Sequence, residues 1–317
     1  MTGEPTWPQE RIPVESMRAW LSARLPGHPE VGAHVRPLRV KRWGATGAFT
    51  LASGEPVIAK HAEPPLFPAG VAVHRFVESA APHAVAPLLA VEDGPGWQRS
   101  AYGFVAGPTL ASRGAAHAPD AARALAAIQI ACADAITTAP PELPRYHLPE
   151  VVDRLVEDVR RAGDQDPQLA GRLDAAHGEL GSLATELASA VPASIDHTDM
   201  NADNVIIPQD GPMVILDWEE ARIGCPLMSL HWMLTDADGN EDDIIDAYAD
   251  AIRPLGGTAD LVRAATVVAP VKLAMEGRAF ARALGWPPPF DNHPNYTGRL
   301  LTTALERLDA LRRRAGA

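Results

Sequence analysis

Two short β-like runs, Asn204-Val205-Ile206-Ile207 and Met213-Val214-Ile215-Leu216, interrupt a region that otherwise reads as helix. Only Pro-Gln-Asp-Gly-Pro separates them, and Asp210-Gly211 is a strong reverse-turn pair, so the runs are expected to fold back as a short hairpin. A hairpin puts Asn204, just before the outgoing strand, and Asp217, just after the returning one, at the same open end. Asp199 lies on the loop that feeds that end. Three oxygen-bearing side chains then converge, which is what a hard cation such as magnesium requires, with waters and phosphate oxygens completing its shell.

The chain on either side of this hairpin has two characters. From Val35 to about Leu110 it offers short β-like runs, VRPLRVKRW, AFTLAS, PVIAK and WQRSAYGFV, separated by Gly, Ser and Pro. The turn Ser53-Gly54-Glu55-Pro56 predicts that AFTLAS and PVIAK pair antiparallel. Between them and the last run, VAVHRFVESAA repeats apolar residues at helical spacing through Val73, Phe76 and Val77. A short amphipathic segment near Glu15 to Leu25 precedes this region. From Pro119 onward the pattern is mainly helical. The expected organisation is an N-terminal helical extension over 1–34, a small sheet lobe over 35–107 and a helical lobe over 108–317. The boundary falls at Gly107-Pro108.

Composition excludes several function classes. At 317 residues the chain exceeds the roughly 250–300 at which a single core stops growing, in keeping with two lobes. A net charge of −12 argues against a nucleic-acid partner, because phosphate backbones are held by clustered Lys and Arg. No apolar run approaches the roughly 18 residues of a membrane span, and the N-terminus carries no recognisable signal. Two cysteines, Cys132 and Cys225, far apart and without a CxxC pair, indicate neither a disulfide framework nor a cysteine zinc site. A cytoplasmic protein, monomer or homodimer, is expected. The basic residues are nearly all Arg; the lysines are Lys41, Lys60 and Lys272.

His197, Asp199, Asn204 and Asp217 form the pattern HxDxxxxN, hairpin, Asp. With HTDMNADNV followed by ILDWEEARIGCP, the chain resembles the aminoglycoside phosphotransferase and choline kinase-like family, from about Val35 to Leu308. The resemblance implies an α+β fold of protein-kinase type, with a small antiparallel-sheet N-lobe and a mainly helical C-lobe. It implies ATP (or GTP) and Mg2+ as cofactors and a small-molecule hydroxyl as acceptor. Asp199 would orient the hydroxyl and take its proton, Asn204 and Asp217 would hold metal, and His197 would support the loop. Lys60, ending PVIAK, would meet the nucleotide phosphates, while Lys41 reads as solvated. Gly44 and Gly47 in RWGATGAF would form the loop over the phosphates, although a plain hairpin turn accounts for them equally. Backbone amides from Ala101 to Gly103 would pair with the base.

One position departs from that family. The helix after the lysine strand commonly carries a Glu that pairs with the lysine, and here the matching position is Gly70; Glu78 lies two turns on and Glu63 on the preceding loop. This departure favours a degenerate, binding-only chain, which the intact Asp199, Asn204 and Asp217 oppose. On the acceptor side, Glu219, Glu220 and Asp236 are candidates for attracting a cationic molecule, with Asn201 or Asp203 near it. The acids from Asp236 to Asp250 (Asp238, Glu241, Asp242, Asp243 and Asp246 between them) read first as a solvated helix face capped by Asn240. Trp218 reads as core, and the loop Gly285 to Gly298, with Trp286, Phe290, Asp291 and Tyr296, is long enough to cover a pocket. Self-protection against an antibiotic and metabolic phosphorylation of an amino alcohol, sugar or nucleoside both fit the motifs.

Overall fold

The computed structural model describes residues 14–25, 31–41, 44–63, 69–237, 239–287 and 295–315. Five antiparallel strands form the first lobe: β1 (Val31–Lys41), β2 (Gly44–Leu51), β3 (Pro56–Ala62), β4 (Leu88–Gly94) and β5 (Trp97–Gly103), in the order β1-β2-β3-β5-β4. The expected pairing of AFTLAS with PVIAK is present, with Phe49 opposite Val57 and Thr46 opposite Lys60. The turn between them closes on Gly54, at φ +87, a backbone conformation that costs glycine nothing. The sheet starts at Val31, ahead of the expected lobe boundary.

Strand alternation decides which side chains reach the cleft. In β3, Val57 and Ala59 point to one face and are fully buried, so Ile58 and Lys60 point to the other. The buried face is covered by helix α1 (Val14–Arg24), whose Met17, Trp20 and Leu21, with Leu25 just beyond, pack on Phe49, Leu51, Val57, Ala59 and Ala101. Each such side chain removed from water is worth about 1.5–3 kcal/mol. Arg99 fastens the helix through Ser16, its Nη2 donating to Oγ at 2.6 Å.

Helix α2 (Gly70–Ala80) lies between β3 and β4 in sequence, yet its Val73, Phe76 and Val77 join the core of the second lobe. That lobe comprises α3 (Leu110–Arg113), α4 (Ala118–Asp134), α5 (Leu148–Ala162), α6 (Pro167–Ala190), α7 (His231–Thr235), α8 (Glu241–Ile252), α9 (Ala259–Ala283) and α10 (Tyr296–Ala315). Helix α5 shows why these segments are helical. Leu148, Val152, Leu155, Val156 and Val159 recur at helical spacing and are buried, and Gly163 in the left-handed conformation ends the helix with its N–H on the Val159 carbonyl. Asp166 caps α6 by accepting from the amides of Gln168 and Leu169.

Short strands thread this helical lobe: β6 (Ser194–Asp196) pairs with β9 (Arg222–Gly224), and β7 (Val205–Ile206) with β8 (Val214–Ile215). The predicted hairpin is therefore present, shorter than its apolar runs. It is tied to both neighbours, since Ile215 donates its amide to Ala84 and Ile207 to Pro108. The link between lobes passes close by: a side chain on Gly107 would stand 2.5 Å from the Ile207 carbonyl oxygen.

Two expectations about glycines and caps change. Gly44 and Gly47 belong to strand β2 and do not form a free loop, with Gly47 opposite both Pro37 and Ala59. At Gly44 the requirement is lateral, because a Cβ would meet the His61 carbonyl oxygen at 2.5 Å. Asn240 stands at the start of α8 without capping it by side chain; its amide donates to Ala115 instead. Lys41's side chain, Asp238, Phe290 and Asp291 lie outside the described residues. Among the described residues no helix is long and apolar enough to cross a membrane.

Candidate active site

A cleft of about 800 Å³ separates the lobes, a size suited to a nucleotide or drug-sized ligand. Lys60, Ile58, Thr46 and Tyr102 line it from the sheet, and Asn201, Asn204, Ile206, Asp217 and Glu219 from the second lobe. Arg36 and Arg39 of β1 add positive charge at the same cleft. Sequence reading left both arginines out, because nothing in VRPLRVKRW reveals which face of β1 would meet a ligand.

The loop after β6 holds Asp199 by amide groups on both carboxylate oxygens. Asn201 Nδ2 donates to Oδ1 at 2.9 Å and Asn204 Nδ2 to Oδ2 at 3.2 Å. Asn201 also accepts through its own Oδ1 from the amides of Asp203 and Asn204. It is thus a pivot of the loop, joining Asp199 to Asn204. Burial raises the Asp199 pKa above its ordinary value, and the two amides oppose that rise.

His197 is buried behind this loop, where its Nε2 donates to the Leu216 carbonyl at 2.8 Å and its ring meets Trp218 edge-on. Burial lowers its pKa, so the ring is neutral, with the proton on Nε2. It ties the loop carrying Asp199 to the end of β8. Trp218 is fully buried and donates Nε1 to Ile215, as a core residue should. Asp196 is a structural anchor of the loop. Tyr146 and Ser229 donate to it, and the buried Lys272 pairs with it at 2.6 Å.

Asp217 occupies the left-handed region, φ 64 and ψ 51, which Asp tolerates better than most residues. Its Oδ1 accepts from Lys60 Nζ at 2.7 Å, across the cleft. Glu219, two residues on, takes the same ammonium with both oxygens, at 2.6 and 2.7 Å, and accepts from the Tyr102 hydroxyl at 3.3 Å. Burial alone would discharge Lys60, but the two carboxylates outweigh it and raise its pKa. Burial likewise opposes charge on Asp217, yet Lys60 holds it below the ordinary carboxylate range. Burial and the charge of Asp217 raise the Glu219 pKa, and the pull of Lys60 opposes them.

Several sequence assignments move on this geometry. Glu219, expected on the acceptor side, is the partner of Lys60. Asp236 lines the large cleft. Ala101 is fully buried in mid-strand beneath α1, and Gly103 spends its amide on Pro87; the cleft continues along Phe104 and Val105. Glu220 stays beside Asp199. It touches solvent, but burial of its surroundings and the charges of Asp199, Asp217 and Glu276 push it up to about 8. Tyr296 stands near the same carboxylates, which with burial raise its pKa. Glu78 is bound to the Leu88 amide and plays no part at Lys60.

A family model described as the phosphotransferase enzyme family matches residues 38–264. A comparison with curated protein sequences finds no significant match. Among solved structures, choline kinase from Cryptosporidium parvum Iowa II superposes with a TM-score of 0.64 at 12% identity, over 95% of this chain and 97% of that one. A thermostable mutant of aminoglycoside phosphotransferase APH(4)-Ia, in ternary complex with AMP-PNP and hygromycin B, gives 0.62 at 16% identity over 94% and 98%. Macrolide 2'-phosphotransferase from Brachybacterium faecium gives 0.60 at 15% identity over 92% and 97%. These likenesses establish the two-lobed, protein-kinase-like fold. The chain belongs to the phosphotransferase enzyme family and is a small-molecule kinase with a hydroxyl acceptor.

Proposed function

We propose that the chain transfers the γ-phosphoryl group of ATP to a hydroxyl of a small, amine-bearing molecule. The observation that carries this reading is the meeting, at one cleft, of Lys60 with Asp217 at 2.7 Å and of Asn204 with Asp199 at 3.2 Å. Lys60, Arg36 and Arg39 supply cations for the phosphates. The base would be met along Phe104 and Val105, beyond the strand that consumes Ala101. Asp199 accepts the proton as the acceptor oxygen bonds to phosphorus and the bond to the ADP oxygen breaks. Asn201 and Asn204 hold its carboxylate for that step.

The donor set fits a divalent cation such as Mg2+. Asn204 spends its amide nitrogen on Asp199, leaving Oδ1 for a metal, and Asp217 has Oδ2 beyond its bond to Lys60. Among the described residues no cluster of three or more His, Cys, Asp or Glu forms a metal site, so phosphates and water must complete the shell. A bound cation would neutralise charge developing on the phosphates.

The acceptor class rests on Asp199 and Glu220, neighbouring carboxylates on one side of the site whose mutual repulsion a cationic partner would relieve. Hygromycin B, bound to one structural neighbour, and the choline implied by the name of another are of this kind. A binding-only role loses its chief support, because Glu219 supplies the carboxylate missing at Gly70. The test is ATP consumption by the purified protein, with Mg2+, across a panel of aminoglycosides, amino alcohols, sugars and nucleosides. A phosphorylated product from an amine-bearing acceptor, lost in Asp199→Asn, is expected. No product from any acceptor, with Asp199→Asn indistinguishable from the parent, would refute the assignment.

A further inference from the structure

We infer that Glu219 and Gly70 are a reciprocal pair that positions Lys60: the carboxylate fixing the lysine comes from the turn after Asp217, and residue 70 is glycine because the stem of Glu219 fills its side-chain space. The inference rests on the phosphotransfer reading for the purpose of Lys60, and on geometry alone for the pairing.

The distances carry it. A Cβ added to Gly70 would stand 2.9 Å from both Cβ and Cγ of Glu219 and 3.3 Å from its Cα, closer than carbon atoms approach. Gly70 is the first residue of α2 and does not have the positive φ that calls for glycine, so its backbone conformation does not explain the residue. Its space is taken from outside the helix. Glu219 approaches from a single helical turn, Trp218–Glu220, whose Trp218 is locked in the core. From there it offers Lys60 two oxygens, while Asp217 offers one.

The arrangement has a consequence for how the site is assembled. An ammonium has three donors. A phosphate oxygen can take the one now spent on Asp217, and the Glu219 contact then keeps Lys60 in place. The lysine is on the sheet and its holder on the second lobe, so the pair also spans the cleft. Lys60 is therefore set by the segment that carries Asp217, and α2 takes no part in holding it. Glu219 is a positioning residue, acting through Lys60.

The experiment uses the intact chain and two readouts. Melting without ligand compares Gly70→Glu in the parent and in Glu219→Gly, a background that vacates the space. Gly70→Glu should lower the melting temperature in the parent and leave it unchanged or raise it in Glu219→Gly; equal destabilisation in both would overturn the pairing. Calorimetry with AMP-PNP and Mg2+, and with adenosine, addresses Lys60. Glu219→Gln, which keeps shape, should weaken AMP-PNP about tenfold while adenosine, which has no phosphate, changes less than about twofold. The double variant Gly70→Glu/Glu219→Gly should regain AMP-PNP affinity lost in Glu219→Gly. Equal loss for both ligands, or parental AMP-PNP affinity in Glu219→Gln, would overturn the positioning role. If the parent binds no AMP-PNP, the phosphotransfer reading falls and the role of Lys60 with it, while the melting comparison still decides the pairing.

Discussion

Lys60 and Lys272 are each clasped by two carboxylates, and the two clusters differ in what surrounds them. Lys272 Nζ stands 2.6 Å from Asp196 and 3.0 Å from Glu276, 3.1 Å from the Thr198 hydroxyl, and over the Tyr146 ring. Its side chain is 2% exposed and that of Asp196 0%, and Tyr146 and Ser229 complete the hydrogen bonding of Asp196. Lys60 has similar distances to Asp217 and Glu219, but 23% of its side chain is open to the cleft. A fully satisfied, dry ion pair is a fixed part of the scaffold, costly to break and with no donor to spare. One at a wet cleft can exchange a partner for a ligand. The same chemistry thus anchors the loop from behind and presents a cation in front.

Substitutions should separate the two. The largest effect belongs to neither lysine: Asp199→Asn should lower kcat by about 10²–10⁴, the usual range for losing a general base, with nucleotide affinity and melting temperature near parental. Lys272→Met should cost about 3–5 kcal/mol of stability, read by urea unfolding, because it leaves Asp196 buried and unpaired. Lys60→Met should instead leave urea stability much closer to the parent and remove most AMP-PNP affinity. If the two methionine variants unfold alike, the contrast between scaffold and cleft fails.

Asn201→Ala should fall between these, losing about 1–3 kcal/mol, since the amides of Asp203 and Asn204 lose an acceptor and Asp199 a donor. Its kcat should drop more than its affinity for nucleotide. A gentler probe is pH. Glu220, pushed up to about 8 from an ordinary 4.5, keeps a proton in the folded chain that the unfolded chain has released. Between those values the native state binds more protons, so stability falls as pH rises. Asp217, shifted the opposite way, acts only below the ordinary carboxylate range. Glu220→Gln should therefore show a flatter melting profile than the parent from about pH 5 to about pH 8. The smallest effect is expected at the exposed pair Glu150–Arg154, where Arg154→Ala should change stability by about 0.5 kcal/mol or less.

Local patterning made much of this molecule readable. The turn residues at Gly54 and Asp210-Gly211 and the apolar periodicity of α2 and α5 state their structures in consecutive residues. The set Asp199, Asn204 and Asp217 was legible for the same reason, since one short hairpin brings all three together. What could not be read was any contact between distant segments. Gly70 looked like a missing carboxylate because its replacement arrives from residue 219. Glu219 looked like an acceptor group because sequence adjacency to Glu220 says nothing of their directions. Ala101 looked like a partner for the base, although its backbone is paired on both sides with β3 and β4 and its side chain lies under α1. The acids of α8 kept their solvated reading, with Asp242 and Asp246 on Arg263 and Asp250 on Arg253.

The sequence by itself determined the fold class and, through spacing within short segments, the residues Asp199, Asn204, Asp217 and Lys60 that come to the cleft. Only the tertiary structure decided who holds Lys60, why residue 70 is glycine, and that Asp196 and Lys272 stabilise the loop from behind. An ion pair between residues far apart in the chain leaves no mark on spacing or periodicity. It exists only once packing has closed the distance and removed the water between its charges.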